Sequence, residues 1–455
     1  MEAFQTVRGV KDILPTEVGI WQKIEANARD ILRRASYTEI RTPILEVTDL
    51  FVRGIGTNTD VVGKEMFSFT TRGEQDVSLR PENTAGVVRA YIQHGLQTLG
   101  DVQRLWYLGP MFRYERPQAG RQRQFHQLGI EVLGSPDPRA DAEAIALAMD
   151  ILRSVGLTRL TLLINSVGDS DDRAAYRKAL VNYLTPVWSQ LDPDSQDRLS
   201  RNPLRILDSK DPSTRDIVAD APKLLNYLSE ASQKHFERVK TYLESLNISY
   251  QVDPYLVRGL DYYTHTAFEI CSQDLGSQSA VCGGGRYNGL VKELGGPDTP
   301  AVGWAIGLDR LAILVQQLAS GQVSFQDPVD IYVISRGEAA EAQSLPLVQQ
   351  LRQGGFVAEL DLSGSAFAKQ FKRASRSQAT WAVTLGEAEA EAGTVQLKHL
   401  ATGEQLNLPQ VDLVAQLTKL AQEDRFKLKE TQPADPTGQD QERTEPELES
   451  VEEEG

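Results

Sequence analysis

Residues 124–133 read Gln124-Phe125-His126-Gln127-Leu128-Gly129-Ile130-Glu131-Val132-Leu133. Successive side chains on a strand point to opposite faces, so this run divides by parity. His126, Leu128, Ile130 and Val132 form a largely apolar face. Phe125, Gln127, Gly129 and Glu131 form the other, which offers an aromatic ring, an amide, a gap and a carboxylate: a floor for a small polar ligand. Residues 104–113 make a second extended run, and the polar, basic stretch 114–123 joins the two into a long hairpin. Arg113 stands at the loop end of the partner strand, with Arg116, Arg121 and Arg123 close by in sequence. A planar guanidinium beside such a floor suits phosphate oxygens. Alternation alone fits equally well a solvated hairpin with a salt-bridged surface.

Outward from the hairpin, the first 165 residues alternate helix and strand patterns. Ile20, Ile24, Ala28, Ile31 and Leu32 recur at helical spacing, and residues 39–44 read as a strand whose Pro43 marks an edge or an interface. A helix over 84–96 follows the turn Arg80-Pro81-Glu82-Asn83. Residues 170–248 are rich in helix signals and read as an insertion into a domain running from 1 to 325. After the turn at Gln326-Asp327-Pro328, strand patterns (331–335, 356–360, 381–385) alternate with helices and end in a hairpin and a last helix, which makes 326–425 a small α/β domain. Residues 426–455 are expected to be a disordered acidic tail, because they hold too few apolar residues to order themselves. No internal repeat is evident.

The chain has 455 residues, 40% of them hydrophobic and 24% charged, which suits two to four soluble domains. The start shows no apolar stretch of a secretory leader, and no run approaches the roughly 20 apolar residues that cross a bilayer, so a cytoplasmic, membrane-free protein is expected. Cys271 and Cys282 match no metal spacing, and none of the five histidines makes an i, i+4 pair, so no metal is assigned to the protein's own side chains. The net charge of −15 argues against nucleic acid until its distribution is read. Residues 430–455 carry ten carboxylates against Arg443 alone, a net −9 that leaves −6 on the rest of the chain. That balance permits local basic patches without arguing for them.

The segment 112–117, Phe-Arg-Tyr-Glu-Arg-Pro, followed by Arg123-Gln124-Phe125-His126-Gln127-Leu128-Gly129-Ile130-Glu131, resembles motif 2 of class II aminoacyl-tRNA synthetases in the form found in histidyl-tRNA synthetases. Leu256-Val257-Arg258-Gly259-Leu260-Asp261-Tyr262-Tyr263-Thr264 is similar to a signature of the histidine enzymes, and Gly303-Trp304-Ala305-Ile306-Gly307-Leu308-Asp309-Arg310-Leu311 to class II motif 3. The likeness runs in order from Arg8-Gly9 to about Gln422.

This resemblance implies an α+β protein: a class II catalytic domain, built on an antiparallel six-stranded sheet flanked by helices and carrying the helical insertion, followed by an anticodon-binding α/β domain. It implies ATP-dependent activation of L-histidine and transfer to tRNA(His), with Mg2+ bound through the ATP phosphates, and a homodimer built around Arg41-Thr42-Pro43. Arg113 and Arg258 are expected at the α-phosphate, where attack by a carboxylate builds negative charge. Arg113, Arg121, Phe125 and Arg310 would bind ATP, Phe125 by stacking on adenine and Arg310 from the start of a helix. Glu82, Asn83, Thr84 and Gln127 would surround the histidine ammonium; Glu131 and Tyr263, with Tyr262 beside them, would hold the imidazole. Arg116 and Gln118 would contact the tRNA acceptor end.

Some readings stay open at this level. Position 83 is Asn where the family usually has Gly. Tyr262-Tyr263 could be a core aromatic pair, and Arg258 could serve a structural ion pair with Asp261 or another carboxylate. Cys282-Gly283-Gly284-Gly285-Arg286-Tyr287 could be a tight strand connection or a backbone that lets a ligand approach; it is not a dinucleotide fingerprint, since no strand-to-helix turn surrounds it. Arg258 and Tyr263 also fall on opposite faces of any regular strand, so a turn or bulge must separate them. Two rival functions remain: a synthetase-like regulatory subunit of ATP phosphoribosyltransferase, which should lack the C-terminal domain and the phosphate-binding arginines, and a class II enzyme for proline, threonine or glycine.

Overall fold

Asp-Pro pairs set several helix starts in this chain. Asp137, Asp192 and Asp211 each cap a helix by accepting a backbone N–H, and the proline after each occupies the first helical position, where no N–H is needed. The helices so begun are Pro138–Ser154, Pro193–Arg201 and Pro212–Ala219. Asp169 and Asp172 close a reciprocal capping box at the start of Ser170–Leu184. The computed structural model describes residues 3–57, 59–117, 120–273, 279–318 and 329–430. It divides into two compact units, residues 1–325 and 326–455.

The first unit contains strands β1 (Thr38–Glu39), β2 (Leu45–Val47), β3 (Phe67–Thr70), β4 (Asp76–Leu79), β5 (Gln103–Phe112), β6 (Gln124–Leu133), β7 (Leu160–Ser166), β8 (Gln251–Val252), β9 (Thr264–Ser272), β10 (Ser279–Arg286) and β11 (Ala301–Gly307). Its helices are α1 (Pro15–Arg34), α2 (Thr48–Ile55), α3 (Thr84–Gln93), α4 (Pro138–Ser154), α5 (Ser170–Leu184), α6 (Pro193–Arg201), α7 (Pro212–Ala219), α8 (Glu230–Ser245), α9 (Leu290–Glu293) and α10 (Leu308–Leu318). The main sheet runs β1-β5-β6-β11-β10-β9-β7-β8. The six inner strands are antiparallel throughout, as expected. The two-residue strands β1 and β8 add a parallel pairing at each edge of these six. The run 39–44 is accordingly not one strand. It supplies the end of β1 and then passes Pro43 before β2 opens a small sheet of order β2-β4-β3.

Parity along β6 is realised. Leu128, Ile130 and Val132 are buried with α1, α4 and α10 on one side of the sheet, and His126 lies edge-on to Trp21 of α1. Small residues at Ala140, Ala144 and Ala148 bring α4 close to the sheet, and Trp304 Nε1 donates to the Ala144 carbonyl at 2.7 Å. The opposite side carries a second core rich in tyrosine: Tyr91, Tyr107, Tyr176, Tyr262, Tyr263 and Tyr287. Four helices, α5 to α8, lie between β7 and β8 in the stretch read as an insertion. Cys271 on β9 and Cys282 on β10 are free thiols, 4% and 2% exposed.

The second unit holds β12 (Ile331–Ser335), α11 (Glu338–Gln353), β13 (Ala358–Leu360), α12 (Phe367–Arg376), β14 (Trp381–Leu385), α13 (Glu387–Ala392), β15 (Thr394–His399), β16 (Gln405–Pro409) and α14 (Leu413–Glu430) in a sheet of order β13-β12-β14-β15-β16. Its first three strands in that order are parallel and the last two close an antiparallel hairpin. Helix α14 continues through 426–430, so the expected tail begins later than residue 426. The rest of that expectation, 431–455, lies outside the described residues. Among the described residues no helix is long and apolar enough to cross a membrane.

Candidate active site

On the tyrosine-rich side of the sheet lies a small, partly open cavity of about 140 Å³. Its walls include Glu82, Thr84, Tyr107, Arg113, Gln127, Arg258, Tyr262, Tyr263, Gly283 and Tyr287. The volume is well under the roughly 300–1,000 Å³ of drug-sized pockets and suits one small polar molecule. Seven of the residues expected from sequence thus meet here, drawn from the 80–84 turn, the hairpin and the 256–263 loop.

The 80–84 turn is fixed from both sides. Arg80, 5% exposed, donates to the carbonyls of Pro110 (2.9 Å) and Thr42 (3.0 Å) and to Asn83 Oδ1 (3.2 Å). Glu82 accepts from the backbone N–H groups of Thr84 (2.6 Å) and Ala85 (2.9 Å), so the carboxylate caps α3. A carboxylate has lone pairs beyond these two contacts, which leaves it able to take a ligand ammonium. Burial raises its pKa and the backbone amides oppose that rise. Asn83 turns away from the cavity: its Oδ1 accepts from Thr42 Oγ1 at 2.5 Å, and it is absent from the cavity walls. Its backbone has φ −119°, so the side chain is accommodated without strain where the family usually has Gly.

Glu131 lies one layer below the cavity, 1% exposed. Its Oε1 accepts from the Thr84 hydroxyl at 2.7 Å and its Oε2 from the Tyr287 hydroxyl. Desolvation by burial pushes its pKa up to about 8, although both hydroxyls favour the charged form. Glu131 is not itself among the wall residues; Thr84 and Tyr287, which are, each hydrogen-bond to its carboxylate. Tyr287, Tyr107 and Arg80 were not singled out in the sequence. Tyr107 occupies the space opened by Gly129, where a Cβ would sit 2.3 Å from Tyr107 Cζ, and that neighbour across β5 and β6 carries no signal in either strand alone.

The loop 256–263 is irregular, and the required turn lies at residues 259–262 before β9 starts at Thr264. Arg173 of α5 holds it by donating to the carbonyls of Asp261 (3.0 Å) and Tyr263 (2.8 Å), and Asn202 donates to Asp261 Oδ1 at 2.7 Å. Arg258 does not pair with Asp261. It forms an ion pair with Glu269 of β9, which keeps its guanidinium charged against the cost of burial. Glycine-rich β10 is a strand paired on both sides, and a Cβ on Gly283 would fall 2.0 Å from Arg258 Nη2. The glycine run thus gives room to this guanidinium. Arg258 Nε and Gln127 Oε1 are buried atoms at this cavity without a protein partner.

Beside the cavity is a basic shelf. Arg113, whose Nε donates to the Pro81 carbonyl at 2.8 Å, lies 5.3 Å from the Phe125 ring centre. Glu115 is 3.9 Å from Arg113 and 3.6 Å from Arg121. Arg310, in the first turn of α10, donates to the Ala280 carbonyl at 2.5 Å, and burial together with the charge of Arg121 lowers its pKa. Arg113 and Arg121 share the one carboxylate of Glu115, and Arg310 feels the charges of both Arg121 and Glu115, an arrangement that favours an incoming anion. Arg116 is exposed on the hairpin loop; Gln118 lies outside the described residues. A larger cleft of about 830 Å³ shares Arg258, Leu260 and Tyr263 but includes none of Arg113, Phe125 or Arg310, so it is not the expected ATP site.

Comparison with known proteins agrees with this geometry. Residues 9–311 match the family described as histidyl-tRNA synthetase, and residues 330–420 match the anticodon binding domain. The chain is 71% identical to the histidine–tRNA ligase of Synechococcus sp. (strain JA-3-3Ab) over 92% of its own length and 99% of that protein's. It is 64% identical to that of Synechococcus elongatus over 91% and 94%. The apo histidyl-tRNA synthetase of S. aureus superposes with a TM-score of 0.77 at 37% identity, covering 91% of this chain and 100% of that one. A cavity for one small polar molecule, a cationic shelf beside it, an antiparallel sheet beneath both and relatives this near place the chain in the histidyl-tRNA synthetase family of class II aminoacyl-tRNA synthetases.

Proposed function

We propose that the small cavity binds L-histidine and that the shelf at Arg113, Arg121, Phe125 and Arg310 binds ATP, in a histidine–tRNA ligase that forms histidyl-adenylate and then histidyl-tRNA. The observation that carries this division is Arg113, which borders both places. A histidine carboxylate oxygen attacks the α-phosphorus, the bond to the bridging oxygen breaks, and pyrophosphate leaves. Arg113 and Arg258 meet the negative charge that develops on phosphorus in a site poor in water, where fixed cations are most effective. Glu82, Thr84 and Gln127 offer acceptors to the ammonium group. In the second step a terminal ribose hydroxyl of tRNA(His) attacks the acyl carbon and AMP departs; Arg116 and Gln118 on the hairpin loop are the proposed contacts to the acceptor end.

Among the described residues no cluster of His, Cys, Asp or Glu could hold a metal. Mg2+ is proposed to arrive on ATP, taking most of its ligands from phosphate oxygens and water. A homodimer is proposed at the segment 41–47, where Ile44, Leu45 and Val47 are 41–42% exposed beside a groove lined by Arg41, Thr42 and Pro43. The cytoplasm is the proposed location. The regulatory-subunit alternative is disfavoured by the second unit and by Arg113, Arg258 and Arg310. Amino-acid-dependent ATP–pyrophosphate exchange with each of the twenty amino acids tests the reading. Histidine alone should drive exchange, and exchange with proline, threonine or glycine instead would overturn it.

A further inference from the structure

The loop 256–263 has to bring Arg258 and Tyr263, which a regular strand would send to opposite faces, to one cavity. The contacts that bend it come from outside the sheet. On one side the Asp261 N–H donates to the Ile55 carbonyl at the end of α2 at 3.1 Å, and a Cβ on Gly56 would lie 2.7 Å from Asp261 Oδ2. On the other side stands the helical insertion. Arg173 of α5 donates through Nη1 to the carbonyls of both Asp261 and Tyr263, and Asn202, just past α6, donates to Asp261 Oδ1. Arg198 of α6 adds an ion pair with Asp60 at 3.0 Å, which ties the insertion to the segment after α2. A guanidinium that bridges two nearby carbonyls restrains the dihedral angles between them, because either carbonyl can turn only by giving up a charge-assisted hydrogen bond.

The side chain at stake is Arg258. It pairs with Glu269, its guanidinium carbon lies 6.0 Å from the Tyr263 ring centre, and its buried Nε has no protein partner. A slack turn would move both Arg258 and the ring beside it. We propose that Arg173 is a positioning residue for adenylate formation: from the helical insertion it holds the turn at 259–262 in the shape that aims Arg258 at the α-phosphate. Arg173 itself is not among the cavity walls. The inference rests on the assignment of Arg258 to that phosphate, and it makes the insertion part of the first chemical step, before any tRNA is bound.

The test is a double-mutant cycle in the full chain, with histidine-dependent pyrophosphate exchange and melting temperature measured for the parent, Arg173→Ala, Arg258→Ala and the double variant. Arg173→Ala should lower kcat about 30- to 100-fold, the scale expected when a reacting group is displaced by about 1 Å, with the KM for ATP within about twofold of the parent and little change in melting temperature. In the Arg258→Ala background the same substitution should cost less than about threefold, since a residue that acts through an absent group has nothing left to lose. Equal factors in the two backgrounds, or a loss that follows a fall in melting temperature, would mean that Arg173 only braces the fold. Near-parental exchange in Arg173→Ala would mean that the turn keeps its shape without it. Each of these overturns the proposal. Where Arg173→Ala does not fold, Arg173→Lys keeps a cation near the carbonyls and runs through the same cycle with smaller factors; equal factors there overturn the proposal too. Parental exchange in Arg258→Ala would instead reject the assignment of Arg258 on which the proposal rests.

Discussion

Glu131 carries a cost that the rest of the fold absorbs. Its pKa in the folded chain is about 8, against 4.5 ordinarily, because burial disfavours the charge. A group raised in this way contributes stability that is fully present below pH 4.5 and is lost as pH climbs through about 8. Glu131→Gln should remove the loss: its melting temperature relative to the parent should rise progressively from pH 5 to pH 8, by an amount on the order of a few kcal/mol in stability, while histidine-dependent exchange falls. A difference independent of pH would mean that the carboxyl is ionised at both ends of that range. Arg258 poses a second question, since its ion pair with Glu269 suits either a catalytic or a bracing role. In Arg258→Ala, loss of a transition-state contact should lower exchange roughly 10²- to 10³-fold, with histidine affinity and melting temperature much less changed. Glu269→Gln, which keeps the guanidinium, separates the two roles: a bracing pair would make both variants lose stability alike. Gln127 was legible as a wall residue because strand parity is local, and Glu131 was placed on the correct face by the same argument. Tyr287 was not legible, since only pairing through β11 brings it to Glu131.

Register decides how elements share this site. Strand β11 places Gly303 opposite Glu131 on β6, and a side chain there would strike Glu131 Oε2 at 1.9 Å and the Ile130 carbonyl at 2.4 Å. The carbonyl belongs to the ladder and cannot step aside, so Gly303→Ala should part β6 from β11 locally. Measured histidine affinity should drop at least tenfold with a clear fall in melting temperature; near-parental values for both would show that the two strands separate easily. The hairpin was readable as two alternating runs about one basic loop, because that signal is contained in a few neighbouring residues. The loop 256–263 was readable only as a contradiction of parity. Its shape is imposed by Arg173 and Asn202, some 60 to 90 residues distant in sequence, and nothing in the loop announces them. The edge strand β8 was missed, and β1 was read too long, for a related reason: two residues are too few to show a period.

At the scale of the whole chain, the positions of the charge-poor and charge-rich segments were plain from composition, whereas the reach of α14 to Glu430 was not, because charged residues such as Lys427, Lys429 and Glu430 suit an exposed helix as well as a tail. Ending the chain after Glu430 removes nine carboxylates and one arginine. Histidine-dependent exchange should be unchanged, and at low salt the affinity for tRNA should be equal or slightly higher, since polyanions repel over a Debye length of about 10 Å or more. A large loss of exchange in the shortened chain would mean that the acidic segment supports the catalytic unit. The placement of sulfur has a different consequence. Both cysteines of the chain are in the first unit, on adjacent strands of its sheet, and burial lifts the thiol of Cys271 to about 11. A thiol-reactive dye therefore finds no thiolate while that sheet is closed and no target at all in residues 326–455. The kinetics of its colour change would clock the opening of one half of the molecule and stay blind to the other, a built-in unfolding reporter that needs no engineered label.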